Sequence, residues 1–69
     1  MDRDKELKKL GARIREMRIN KNMTQAQLAS ACALDRNYVG MVERGERNPT
    51  YISLCAIAKG LSTEVSELV

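Results

Sequence analysis

Histidine, tryptophan and phenylalanine are absent from these 69 residues, and only two tyrosines, two cysteines, four glycines and one proline are present. Each scarcity excludes something. Without histidine the chain lacks the side chain best suited to general acid–base work near neutral pH. Two cysteines alone cannot supply the four ligands of a structural zinc site. Gly11, Gly40, Gly45 and Gly60 are too far apart to form a phosphate-cradling loop. No catalytic constellation, metal centre or cofactor is therefore expected, and the chain reads as a non-enzyme. Hydrophobic residues make up 43% of the chain with almost no aromatics, so the core must be aliphatic. No apolar run of about 18 residues exists, and the amino terminus is charged where an export signal would be apolar. Neither a membrane span nor secretion is expected, which points to the cytoplasm. Cys32 and Cys55 fall on apolar helical positions and read as reduced packing residues.

The charge is moderately basic and unevenly spread. Twelve Lys and Arg against nine Asp and Glu give +3, which tilts the partner class toward a polyanion. Residues 1–22 carry +4, residues 24–49 balance at zero, and residues 50–69 sum to −1. There is no repeat, low-complexity tract or linker, and residues 1–69 read as one small domain.

Polar cap residues recur at short intervals, each followed by a segment of helical period. The first helix is expected over about Asp4–Asn20, with Asn22 suited to the left-handed residue beyond its end. Thr24 opens a second helix with Gln27 three positions on, forming a capping box, and that helix ends near Ala31. Asp35 caps a third segment of about ten residues that stops at Gly45. Thr50 caps a fourth through Lys59, closed by Gly60, and Ser62 or Thr63 opens a short fifth. No alternating stretch is long enough for a strand. The fold class is therefore all-α, a compact five-helix bundle with short connections.

At about 100° per residue, Leu7, Leu10, Gly11, Ile14 and Met17 form one stripe of the first helix, and Arg18 falls inside it. A buried arginine is costly unless paired, and Glu43, at the edge of the Val39 and Val42 face of the third helix, is the candidate carboxylate. Periodicity alone leaves open that both are ordinary surface charges. Arg36, Asn37, Gly40 and Arg44 project away from Val39 and Val42, with Tyr38 and Met41 at the flank. This face is either simply solvated or a contact surface. Gly40 costs about 0.8–1 kcal/mol against alanine in a helix interior, so something should need its missing side chain, such as close approach of another molecule. Arginine can donate bidentately to guanine O6 and N7, and asparagine pairs with adenine N6 and N7.

With these features in place, Thr24 to Lys59 (TQAQLASACALDRNYVGMVERGERNPTYISLCAIAK) resembles the phage-repressor and Cro-type helix-turn-helix family, also called XRE-like. The resemblance extends back through Leu10 to Arg18 (LGARIREMR) and so covers nearly the whole chain. Within that family, Leu34 to Asn48 (LDRNYVGMVERGERN) is most similar to the controller proteins of restriction-modification operons. The resemblance implies a lambda-repressor-like DNA-binding domain, with a positioning helix at about 24–31 and a recognition helix at about 35–44 lying in the major groove. It implies a sequence-specific transcriptional regulator, a repressor or a controller protein, binding double-stranded DNA as a homodimer on a palindromic operator. RNA polymerase would be a further partner. Carried over residue by residue, Arg36, Asn37 and Met41 match base-reading positions. Gln25, Tyr38, Arg44, Arg47, Asn48, Thr50 and Ser53 match phosphate-binding positions. Arg18 and Glu43 match a buried salt bridge.

Two departures stand out. The family usually has glycine at the turn where φ is positive, and this chain has Ala33, at a cost of about 1 kcal/mol if that geometry is kept. Ile52 and Ala56 replace residues that are commonly charged and point away from Leu54, Ile57, Ala58 and Leu61. Together with Val65 and Val69 they are either scattered surface residues or, as expected from the dimers that the resemblance implies, a two-fold interface. The competing reading is a protein-interaction module, antitoxin-like or adaptor, on the same scaffold.

Overall fold

A computed structural model describes residues 2–69. Five α-helices are connected by short turns, and no strand occurs among the described residues. They are α1 (Arg3–Asn20), α2 (Gln25–Cys32), α3 (Arg36–Glu43), α4 (Tyr51–Gly60) and α5 (Val65–Leu68).

Local chemistry sets the boundaries. The Asp2 carboxylate accepts from the Asp4 and Lys5 amides, so α1 starts slightly ahead of the expected Asp4. Asn22 lies past its end at φ 57°, the left-handed conformation that asparagine tolerates. At the start of α2 the Thr24 hydroxyl accepts from the Gln27 amide at 3.0 Å, and Gln27 Oε1 accepts from the Thr24 amide at 2.8 Å. The box satisfies two amides that the helix itself cannot. Asp35 caps α3 through the Asn37 amide at 2.7 Å, and Thr50 caps α4 through the Ser53 amide at 3.1 Å. Gly45, at φ 75°, turns the chain out of α3, with the Glu46 amide donating back to the Met41 carbonyl at 2.8 Å.

Two expectations need correction. Gly60 does not close α4 but is its last residue. A Cβ there would lie 2.7 Å from Cys32 Sγ and 3.3 Å from Leu28 Cδ1, so its missing side chain serves the packing of α4 on α2. Ser62 opens nothing: at φ 55° it makes the left-handed turn after α4, while the Thr63 amide donates to the Ala58 carbonyl. The fifth helix instead begins after Glu64, without a side-chain cap. The second helix ends at Cys32, next to the expected Ala31.

Ala33 keeps the left-handed geometry, at φ 57° and ψ 39°. The Leu34 amide donates to the Ala29 carbonyl across this turn at 2.9 Å, which fixes the angle between α2 and α3. An alanine held there carries strain that glycine would not. Ala33→Gly is expected to stabilise the domain by about 0.5–1 kcal/mol, less than the strain itself because glycine also loosens the unfolded chain. Thermal melting measures it, and a lowered midpoint would show that the turn is relaxed in solution.

Ile14, Leu28, Val39, Val42, Ile57 and Leu61 are fully buried, and Leu54, Ala58 and Leu68 join them in an aliphatic core. Each large side chain contributes about 1.5–3 kcal/mol by leaving water. Gly11 lets α1 cross the end of α3 at backbone contact, because a Cβ there would overlap the Val42 and Glu43 carbonyl oxygens. Cys32 and Cys55 are free thiols, and burial pushes the Cys32 thiol up, which keeps it protonated and unreactive. None of the described helices is long and apolar enough to cross a membrane.

Candidate nucleic-acid interface

A buried ion pair holds the helices that present the polar surface. Arg18 Nε donates to Glu43 Oε2 at 2.7 Å, and Arg18 Nη2 donates to Glu43 Oε1 at 3.0 Å. The Glu43 side chain is 1% exposed and that of Arg18 11%. Arg18 Nη1 is spent on the Met23 carbonyl at 2.8 Å, so the guanidinium ties the end of α1 to the entry of α2 as well. Glu43 Oε1 also accepts from Gln25 Nε2 at 3.1 Å. One carboxylate thus joins α1, the first residue of α2 and the last residue of α3. No described buried side-chain nitrogen or oxygen lacks a partner, as a buried charge requires.

Gln25 is therefore not a freely extended side chain. One hydrogen of its amide nitrogen goes to Glu43 and the other stays available to an anion outside. Its Oε1 lies over Gly40, where a Cβ would sit 3.4 Å away, with Arg44 Nη1 at 3.1 Å from the same point. Gly40 is buried, not open on the outward side as the helical projection suggested. The space above it holds the molecule's own Gln25 and Arg44 rather than a path for another molecule.

Arg36 and Asn37 occupy the first turn of α3, behind the Asp35 cap. Both are exposed, and neither side chain has a hydrogen-bond partner among the described residues. Met41, one turn on, is half-buried beside them. Tyr38 packs on the rim of the core and carries the Arg47 guanidinium over its ring at 5.3 Å. This contact brings the segment after α3 back alongside the first turn of that helix. Arg44 Nε donates to Glu46 Oε2 at 3.1 Å in a solvent-exposed pair of small worth. Asn48 is exposed. The Thr50 hydroxyl accepts from the Ser53 amide and donates to Ser53 Oγ at 3.1 Å, which leaves the Ser53 proton free to point outward. Arg36, Arg44 and Arg47 against Asp35 and Glu46 leave this surface one net positive charge, since Glu43 is neutralised by Arg18 in the interior. The surface therefore favours an anion, with helix amino termini adding to its potential.

Ile52 and Val69 stand in solvent at 76% and 77% exposure, whereas Ala56 and Val65 are half-buried against the core. Tyr51, at 69% exposure, extends the same outer part of α4 and was not singled out from the sequence, although it precedes Ile52 directly. The Gln25–Glu43 and Tyr38–Arg47 contacts likewise join residues too far apart for the sequence pattern to show.

Comparison with known proteins places the arrangement. Residues 14–68 match the helix-turn-helix family. Control protein C.SmaI of Serratia marcescens is 43% identical over 60 residues, which span 87% of this chain and 71% of that protein. The crystal structure of the restriction-modification controller protein C.AhdI from Aeromonas hydrophila superposes with a TM-score of 0.92 at 44% identity, covering 93% of this chain and 97% of the other. Controller protein C.Esp1396I, solved as a tetramer in complex with its natural 35-base-pair operator, gives a TM-score of 0.81 at 43% identity over 84% of this chain and 76% of that one. The chain belongs to the XRE-like helix-turn-helix family, and restriction-modification controller proteins are among its homologues.

Proposed function

We propose that this protein is a sequence-specific transcriptional regulator of the controller type that binds double-stranded DNA as a homodimer on a palindromic operator. In this reading α2 is the positioning helix and α3 the recognition helix. Arg36, Asn37 and Met41 read base edges in the major groove. Gln25, Tyr38, Arg44, Arg47, Asn48, Thr50 and Ser53 engage phosphates on either side and fix the register without carrying sequence information. The ion pair of Arg18 and Glu43 holds the two helices at their angle. No chemistry is performed: occupancy of the operator is the output, with RNA polymerase the second macromolecule it blocks or recruits.

The observation that carries this reading is the state of Arg36 and Asn37, solvated and unpartnered on the first turn of a helix whose opposite side is locked into the core. The second copy would pack on the apolar face around Ile52, Ala56, Val65 and Val69, extended by Tyr51. A two-fold axis there would set the recognition helices about 34 Å apart, one turn of duplex. A protein-interaction module would use that apolar face for a different partner and leave the α3 surface idle.

A gel shift on random-sequence duplex at low salt separates the two. Retardation is expected, because phosphate contacts act on any sequence. Its absence would favour the adaptor.

A further inference from the structure

The charge of this domain is not where the helix-turn-helix is. Residues 24–49, which hold α2, α3 and the following segment, are neutral overall, residues 50–69 sum to −1, and the basic excess of +4 lies in residues 1–22. On α1, Lys5, Lys8, Ala12, Arg15 and Ile19 form a single exposed stripe at helical spacing, with Asp4 and Glu16 only at its borders. Among the described residues no carboxylate lies within 4.0 Å of Lys5, Lys8 or Arg15. The ion pair that α1 does make on its surface, Lys9 with Glu6 at 3.8 Å, lies just outside the stripe, beyond Lys5 and Glu16, so Lys9 is already neutralised.

The stripe borders the proposed interface. Gly11, at its edge, touches the backbone at the end of α3. A Cβ on Gly45 would lie 3.0 Å from Lys8 Cα and 2.7 Å from Lys8 Cγ, so Lys8 sits directly against the turn leading to Arg47 and Asn48. From Lys5 to Arg15 the stripe extends about 15 Å along the helix axis, continuing the surface beyond the carboxyl end of α3.

Cations beside a helix carboxyl terminus can serve simply to offset its dipole. Here that end already has Arg18 and Arg44 nearby, and its Met41 and Val42 carbonyls accept from the Glu46 and Gly45 amides. Further unpaired cations within a Debye length of about 8 Å add repulsion unless a polyanion meets them. We infer that the Lys8 and Arg15 stripe of α1 is an auxiliary phosphate-binding surface that extends the DNA footprint beyond the helix-turn-helix and adds to its long-range attraction. The inference rests on the DNA-binding reading above and gives it a further electrostatic source.

The test is the double variant Lys8→Gln with Arg15→Gln, titrated against a random-sequence duplex of about 40 base pairs over a range of salt, with Arg47→Gln and Lys9→Gln beside it. Two lost contacts in each of two chains should flatten the slope of log affinity against log salt by about 3–4. The melting temperature and the base preference should stay as in the wild type, and Lys9→Gln should leave the slope unchanged. An unchanged slope in the double variant, with a flattened one in Arg47→Gln, would overturn the inference and leave DNA binding by α3 standing. A lowered melting temperature with an unchanged slope would assign the stripe to dipole compensation and equally overturn it. Failure of the wild type to bind the duplex at all would instead remove the DNA-binding reading on which the inference rests.

Discussion

Glu43→Ala is expected to lower the unfolding free energy by about 3–5 kcal/mol, the cost of leaving a buried arginine without its carboxylate. In the native state Arg18 Nε and Nη2 both terminate on Glu43, and no other carboxylate pairs with Arg18 among the described residues. The guanidinium would have to break its bond to the Met23 carbonyl to reach water, or stay buried and unpaired. Against a total stability of about 5–15 kcal/mol for a natural domain, that loss leaves a substantial unfolded population. Denaturant unfolding measures it, and a change below about 1 kcal/mol would mean that the pair is solvated and contributes no more than a surface bridge. The double replacement Arg18→Met with Glu43→Leu is expected to recover most of the loss, since apolar residues of similar volume remove both desolvated charges. It would not restore the partner of Gln25, so DNA affinity should stay reduced in that variant although the fold returns. A stability effect and a binding effect that share one carboxylate are thereby separated.

Salt should change DNA affinity more than any single substitution. A dimer neutralising about 6–10 phosphates loses roughly 10³- to 10⁵-fold in affinity between about 50 and 200 mM salt. The cations to account for that are Arg44 and Arg47 on the candidate interface and Lys8 and Arg15 on α1, four in each chain. Gln25, Asn48, Thr50 and Ser53 can position a phosphate but release no counterion, so they should alter affinity while leaving the slope alone. Measuring affinity on one duplex at several salt concentrations gives the slope directly. A decline of less than tenfold over that range would mean that few phosphates are neutralised and that the basic groups are not against the duplex.

Much of the scaffold could be read from residues that act locally. Thr24 with Gln27, Asp35 and Thr50 cap helices through bonds spanning two or three residues, and Asn22 and Gly45 adopt the left-handed backbone conformation that asparagine tolerates and glycine permits. The scarcity of aromatics foretold an aliphatic core, and the position of Arg18 on the apolar stripe of α1 pointed inward. What was misread depends on distant parts of the chain. Gly60 has the spacing of a helix terminator, but its missing Cβ answers to Cys32, 28 positions earlier. Gly40 suggested room for a visitor, whereas the room belongs to Gln25 and Arg44. The bond from Gln25 to Glu43 joins residues 18 apart and leaves no periodic trace. Tyr38 could be placed at the flank of α3, yet its stacking under Arg47 depends on the path of the chain after Gly45.

The central claim is that the first turn of α3 touches base edges. Selecting bound duplexes from a random pool with the wild type and with Arg36→Ala tests it most directly. The wild type should return a two-fold symmetric site, and Arg36→Ala should lose preference at one base pair of each half-site, with a cost of about 1–3 kcal/mol on the wild-type sequence. Uniform weakening on every sequence, with the preferred site unchanged, would contradict it and make Arg36 a phosphate contact.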